Sequence, residues 1–156
     1  MTPPAFLDPL EVRHVGWRHD RPVWMTLSPL RYWSVRVGTI VVVPAEFVTD
    51  LASVPRWPLA WFVAGGRAPR PAVLHDYAYQ SGHLLSAEDG RPIELTRREA
   101  DAVFWEAMLA DPEDGTNRLT AWLMWAAVRA GGRGAWARRS DRRWALNPEW
   151  TREGWA

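Results

Sequence analysis

The chain reads as an α+β fold, with an N-terminal antiparallel β-meander packed against a layer of about four helices. Short Val-, Trp- and Tyr-rich runs separated by turn signals fill the chain up to residue 43, and helical spacing of apolar residues takes over from about residue 53. A length of 156 residues with 47% hydrophobic content suits one ordinary hydrophobic core.

The runs 14–18, 23–27, 32–35 and 39–43 are rich in β-branched and aromatic residues, with His-Asp-Arg-Pro, Ser-Pro and Val-Gly between them. In the second run, Val23, Met25 and Leu27 alternate with Trp24 and Thr26, which predicts one covered and one partly exposed face. After Pro44, Ser53-Val54-Pro55 supplies a hydroxyl cap and a first-turn proline for a short helix over 53–62, ended by Gly65-Gly66. A second helix begins at Pro71 and runs to about Gln80, stopped by Ser81-Gly82. Residues 84–95, with Glu88-Asp89-Gly90 at their middle, form a hairpin or extended flap.

A third helix opens at Thr96, where Thr96-Arg97-Arg98-Glu99 has capping-box spacing, and ends near Ala110 because Asp111-Pro112 disfavours continuation. The fourth starts near Thr116 or Asn117 and stops at Gly131-Gly132. Being apolar almost all round, it is expected to lie at the centre of the core. The domain organisation read from these signals is a single domain over 1–132 and an Arg/Trp-rich C-terminal arm over 133–156. Trp136, Trp144, Trp150 and Trp155 follow no helical or strand period there, and they suit an interaction surface.

Composition narrows the chemistry. The absence of cysteine excludes disulfides, thiolate metal sites and cysteine nucleophiles. All 19 cationic residues are arginine, which a GC-rich coding genome explains most simply. A net charge of +1 argues against a dedicated DNA binder, so nucleic acid is a less favoured partner than protein. No signal-peptide pattern opens the chain, and the longest apolar stretch, 119–128, is short of the ~20 residues that span a bilayer, so no membrane insertion is expected. No Ser-centred nucleophile elbow, phosphate-binding glycine loop or His-Glu-x-x-His helix is present.

The informative chemistry is the set Asp50, His75, Asp76 and Asp101. Asp101 shares a helical stripe with Phe104, Trp105 and Met108, where an ionised carboxylate needs a partner. His75 is the candidate partner, with Tyr79 one turn on, while Leu74, Tyr77 and Ala78 are left for packing. Neighbouring helical residues point about 100° apart, so His75 and Asp76 converge only at the edge of a cleft, which Asp50 would close from the sheet side. The leading reading is a structural network in which His75 donates to Asp101 and Arg56 or Arg97 balances the charge. The other is a hydrolytic site in which Asp50, His75, Asp76 and Asp101 are both catalytic and metal-ligating, around one divalent ion (zinc, manganese or magnesium). His14 and His19 flank a strand and turn and can add ligands, whereas His83 has no partner motif.

Three ordered blocks carry a family resemblance: residues 43–55, with Val48-Thr49-Asp50-Leu51-Ala52-Ser53-Val54-Pro55; then Leu74-His75-Asp76-Tyr77; then Arg97, Ala100-Asp101 and Phe104. The pattern resembles the phage and prophage family called domain of unknown function 1353, over about residues 20–130. The resemblance implies that Asp50, His75, Asp76, Tyr77, Arg97 and Asp101 are signature positions, and that Glu46 replaces a glycine. It also implies a phage genome context, with other phage structural proteins or a second copy as partners. The location it implies is the host cytoplasm during assembly, or the virion. It brings no established activity, so a virion-associated or accessory protein and a metal-dependent hydrolase acting on cell wall or phosphoester both stay open. The likeness of the His-Asp pair and later Asp to helical His-Asp phosphohydrolases is partial, because strands precede the site.

Overall fold

The computed structural model describes residues 2–18, 20–50, 70–110 and 116–138. Eight strands precede and interleave with three helices among them: β1 (Ala5–Phe6), β2 (Val12–Arg18), β3 (Arg21–Thr26), β4 (Leu30–Ser34), β5 (Thr39–Val43), β6 (Val48–Thr49), α1 (Arg70–Ser81), β7 (His83–Ser86), β8 (Pro92–Glu94), α2 (Arg97–Ala110) and α3 (Arg118–Ala137). The α+β class is the one expected. The helix read over 53–62 lies outside the described residues, as do Arg56, His19, Trp144, Trp150 and Trp155. No described helix is long and apolar enough to cross a membrane.

The four strands read from sequence are present, but they divide between two antiparallel sheets. One runs β1-β4-β5-β7-β8 and the other β2-β3-β6. The β2–β3 and β4–β5 hairpins therefore do not continue into each other. Instead β3 takes β6, pairing Trp24 with Thr49 and Met25 with Val48, while β5 takes β7, pairing Val41 with Ser86. Thr26 marks the division. Its buried hydroxyl donates to the Pro44 carbonyl at 2.9 Å and accepts from the Phe47 amide at 2.9 Å, while its backbone carbonyl accepts from the Glu46 amide at 2.8 Å. These bonds bury a residue expected on the exposed face, and Leu27, expected to be covered, is 52% exposed. At the opposite edge Asp8 holds β1 onto β4 by two hydrogen bonds from the Arg31 guanidinium, at 2.9 and 2.8 Å.

The turn chemistry of the second half behaves as its residues dictate. Gly82 takes φ 79° after α1, and β7 and β8 make the expected hairpin, with His83 opposite Glu94. Thr96 and Glu99 close the capping box, the Thr96 amide and hydroxyl each donating to Glu99 at 2.7 Å. Asn117 caps α3 by accepting from the Thr120 amide at 2.9 Å.

Two expectations about the helices are corrected. The core helix is α1, in which every residue from Arg70 to Gln80 is buried. In contrast, α3 buries only Ala121, Met124, Val128, Gly132 and Ala135. That stripe is mostly small because α3 approaches α1 closely: a Cβ on Gly132 would lie 2.5 Å from the Tyr79 hydroxyl. The bulky residues face outward, leaving Leu119 68%, Trp122 52% and Leu123 51% exposed. The helix also runs through Gly131-Gly132 to Ala137, since neither glycine takes a left-handed conformation there.

Candidate functional site

Three helices meet at Asp101. The residue sits in α2 on the stripe that includes Phe104 and Met108, and its exposure is 0%. Oδ1 accepts from His75 Nε2 at 2.9 Å and from the Tyr79 hydroxyl at 2.6 Å, both from α1. Oδ2 accepts from Arg129 Nη1 of α3 at 2.7 Å and lies 3.8 Å from Arg97 Nη1, one turn back on α2. Burial raises the Asp101 pKa, but the hydrogen bonds and charges of His75, Tyr79 and Arg129 outweigh it and hold the carboxyl below its ordinary value of 3.8. Burial, followed by the bond to Asp101, pushes the Tyr79 phenol above its usual range, so it remains a donor.

The walls of the cluster are aromatic. The His75 ring lies 4.1 Å from Tyr79 and 4.5 Å from Phe104, centroid to centroid, and Trp136 meets Tyr79 edge-on at 5.2 Å. Trp136, read as part of an interaction arm, is thus half-buried against this cluster on the last turns of α3. Arg97 also donates to the Arg129 carbonyl at 3.1 Å, tying the start of α2 to the middle of α3. Both oxygens of one carboxylate therefore hold α1, α2 and α3 together.

Asp76 turns away from that centre. Fully buried, it accepts from the Thr49 hydroxyl of β6 and from Gln80 Nε2 at 2.6 Å, the latter one turn along α1. Gln80 Oε1 is buried with no hydrogen-bond partner among the described residues. Asp50 follows Thr49 at the end of β6 and is half-buried. Adjacent positions on one helix thus serve two centres, as their 100° separation dictates. Among the described residues no three His, Asp or Glu side chains group as a metal ion would need. His14 lies exposed between Trp17 and Trp24 on the smaller sheet, at 5.5 and 5.3 Å, and His83 meets the edge of Tyr77 at 6.0 Å.

The family model described as a protein of unknown function (DUF1353) matches residues 24–128. The chain belongs to the DUF1353 family. No curated protein and no solved structure matches it. The matched DUF1353 span covers β3 through most of α3, and so includes His75, Asp76, Tyr77, Arg97 and Asp101. Within it, Tyr77 packs edge-on to Phe47 at 5.1 Å, and burial pushes its phenol up to about 12. Glu46, at the position where the resemblance leads one to expect a glycine, takes φ 63°.

Four residues that matter here escape the sequence reading. Gln80 carried a signal, being four residues from Asp76 on the same helix. Thr49 and Arg129 reach their partners across 27 and 28 residues of chain, and no spacing rule links them. Glu106, on the sheet-facing side of α2, accepts from the Ser34 hydroxyl at 2.8 Å, the Tyr32 hydroxyl at 3.1 Å and the Arg36 amide at 3.0 Å, docking the helix on β4.

Proposed function

We propose that this DUF1353 protein works by binding and not by chemistry, as a phage- or prophage-encoded accessory or virion-associated protein. Its His75–Asp101 cluster is a clasp that fixes three helices. The single observation behind this reading is that Asp101, on α2, has both oxygens engaged by donors from α1 and α3 and no exposure, which leaves no open position for a substrate. What the clasp holds in place is the outer face of α2 and α3, where large apolar side chains stand in solvent. Induction of a lysogen followed by mass spectrometry of the purified particles tests the context. The chain is expected in the particle fraction or bound to a particle protein; a chain found only free in the lysate contradicts the virion role.

A metal-dependent hydrolase is the second reading, and one observation favours it. Gln80 Oε1 is a buried oxygen without a donor among the described residues, beside the buried Asp76 carboxylate and near the end of β6, which leads to Asp50. This reading expects stoichiometric zinc, manganese or magnesium in protein purified without a histidine tag, lost in Asp76→Asn. Metal-free protein whose melting is unchanged by added ions contradicts it.

A further inference from the structure

The outer surface of α2 and α3 is a groove. Arg98, Ala102 and Trp105 of α2 face Trp122 and Trp125 of α3 across a cleft of about 340 Å³, closed at one side by Arg36 from the β4–β5 turn. Trp105 and Trp125 pack edge to face at 6.3 Å and form its floor, while Trp122 stands half in solvent. A second cleft of about 320 Å³ shares Arg36 and Ala102 with the first and continues past Glu94 and Glu99. Leu119 and Leu123 extend the apolar rim along α3.

Charge selects the occupant. The residues lining the tryptophan cleft include two arginines and no carboxylate, and neither Arg36 nor Arg98 makes an ion pair with a described residue. A second copy of α3 is a poor match, because that helix exposes Arg118 and Arg133 and has no acidic residue, so self-pairing sets cation against cation. Single-stranded nucleic acid would stack on the indoles but is a poor match too, since its uniform charge would meet Glu94 and Glu99 in the continuing cleft. A peptide segment with carboxylates at one end and bulky apolar side chains along one face matches the tryptophan cleft, because its charge is confined to the end at Arg36 and Arg98 and need not meet Glu94 and Glu99.

We propose that the α2–α3 groove is a docking site for an acidic amphipathic segment of a partner protein. Its carboxylates pair with Arg36 and Arg98, and its apolar side chains cover Trp105, Trp122 and Trp125. This rests on the reading of the protein as a binding module and gives that reading its surface and its partner chemistry. The two arginines select for the acidic end, and the indoles supply the buried area, the division of labour between rim charge and aromatic anchor seen in helix-in-groove recognition.

The test is a selection of random displayed peptides, about 16 residues long, on the immobilised full chain, with counter-selection on a Trp122→Ala/Arg98→Glu variant. Both positions are exposed, so the variant is expected to melt with the wild type. Enriched sequences should combine Asp or Glu with aromatic or aliphatic residues at helical spacing. A synthetic copy of the best peptide should shift tryptophan fluorescence, lose affinity about tenfold or more in each single variant, and weaken with salt. The proposal is overturned by no enrichment that depends on these residues, by enrichment of neutral or basic peptides, by oligo(dT) binding that the same variants abolish, or by a dimer in sedimentation that Trp122→Ala dissociates. Failure of the binding-module reading looks different: hydrolysis that requires a bound ion and is untouched by Trp122→Ala.

Discussion

Glu46 holds a left-handed backbone conformation, φ 63°, at the turn between β5 and β6, with its amide bonded to the Thr26 carbonyl at 2.8 Å. A side chain there crowds the following carbonyl, a cost that glycine avoids. Glu46→Gly is therefore expected to raise stability by about 0.5–1 kcal/mol, the left-handed strain relieved less the added entropy of the unfolded chain. A higher urea midpoint checks this, and a lower one contradicts it. The same scale shows what single residues disclose. Asp101 was legible because a carboxylate on an apolar helical stripe requires partners, and His75 was legible as one of them because both fall in helices with clear boundaries. Tyr79 was legible with it, one turn on from His75, but the full set of donors was not, since Arg129 looks like an ordinary surface cation until the helices are packed.

Helix boundaries rest on local chemistry, and that is why the capping box at Thr96, the Gly82 stop and the hairpin over 83–94 could be read from the chain alone. Burial rests on tertiary packing, and there α3 misleads. Ten nearly unbroken apolar residues suggest a central helix, yet the face turned inward is the one with Ala121, Gly132 and Ala135, because only small residues allow the close approach to α1. Gly132→Ala tests that approach. The new methyl meets the Tyr79 hydroxyl at 2.5 Å and its ring atoms at 3.1 and 3.2 Å, so α3 must move off the clasp. The expected loss is about 1–3 kcal/mol, as for overpacked cores. Removing the obstructing oxygen with Tyr79→Phe should make the double variant less destabilised than the sum of the singles, whereas strict additivity in urea unfolding would place the two residues out of contact.

For the molecule as a whole, the two sheets and three helices are joined through three carboxylates: buried Asp76 between β6 and α1, half-buried Glu106 between β4 and α2, and buried Asp101 among the helices. The division of the strands between two sheets was not legible, because hairpin signals set which strands pair locally and say nothing of which sheet each hairpin joins. Asp101 sets a pH dependence. Its folded pKa lies below the ordinary 3.8, so its contribution to stability is complete above that value and is lost as pH falls through the folded pKa. Melting temperature should fall steeply below about pH 4, and Asp101→Asn should flatten that limb. The central claim, that Asp101 is a clasp and not a catalyst, is tested most directly by the unfolding free energy of Asp101→Asn at neutral pH. Neutralising a structural carboxylate removes the counter-charge of Arg129 and Arg97 and replaces one of its two acceptor oxygens by an amide donor facing His75, Tyr79 or Arg129, and a loss of about 3 kcal/mol is predicted. A catalytic carboxylate is held at the expense of stability, so a variant as stable as the wild type, or more so, would contradict the account.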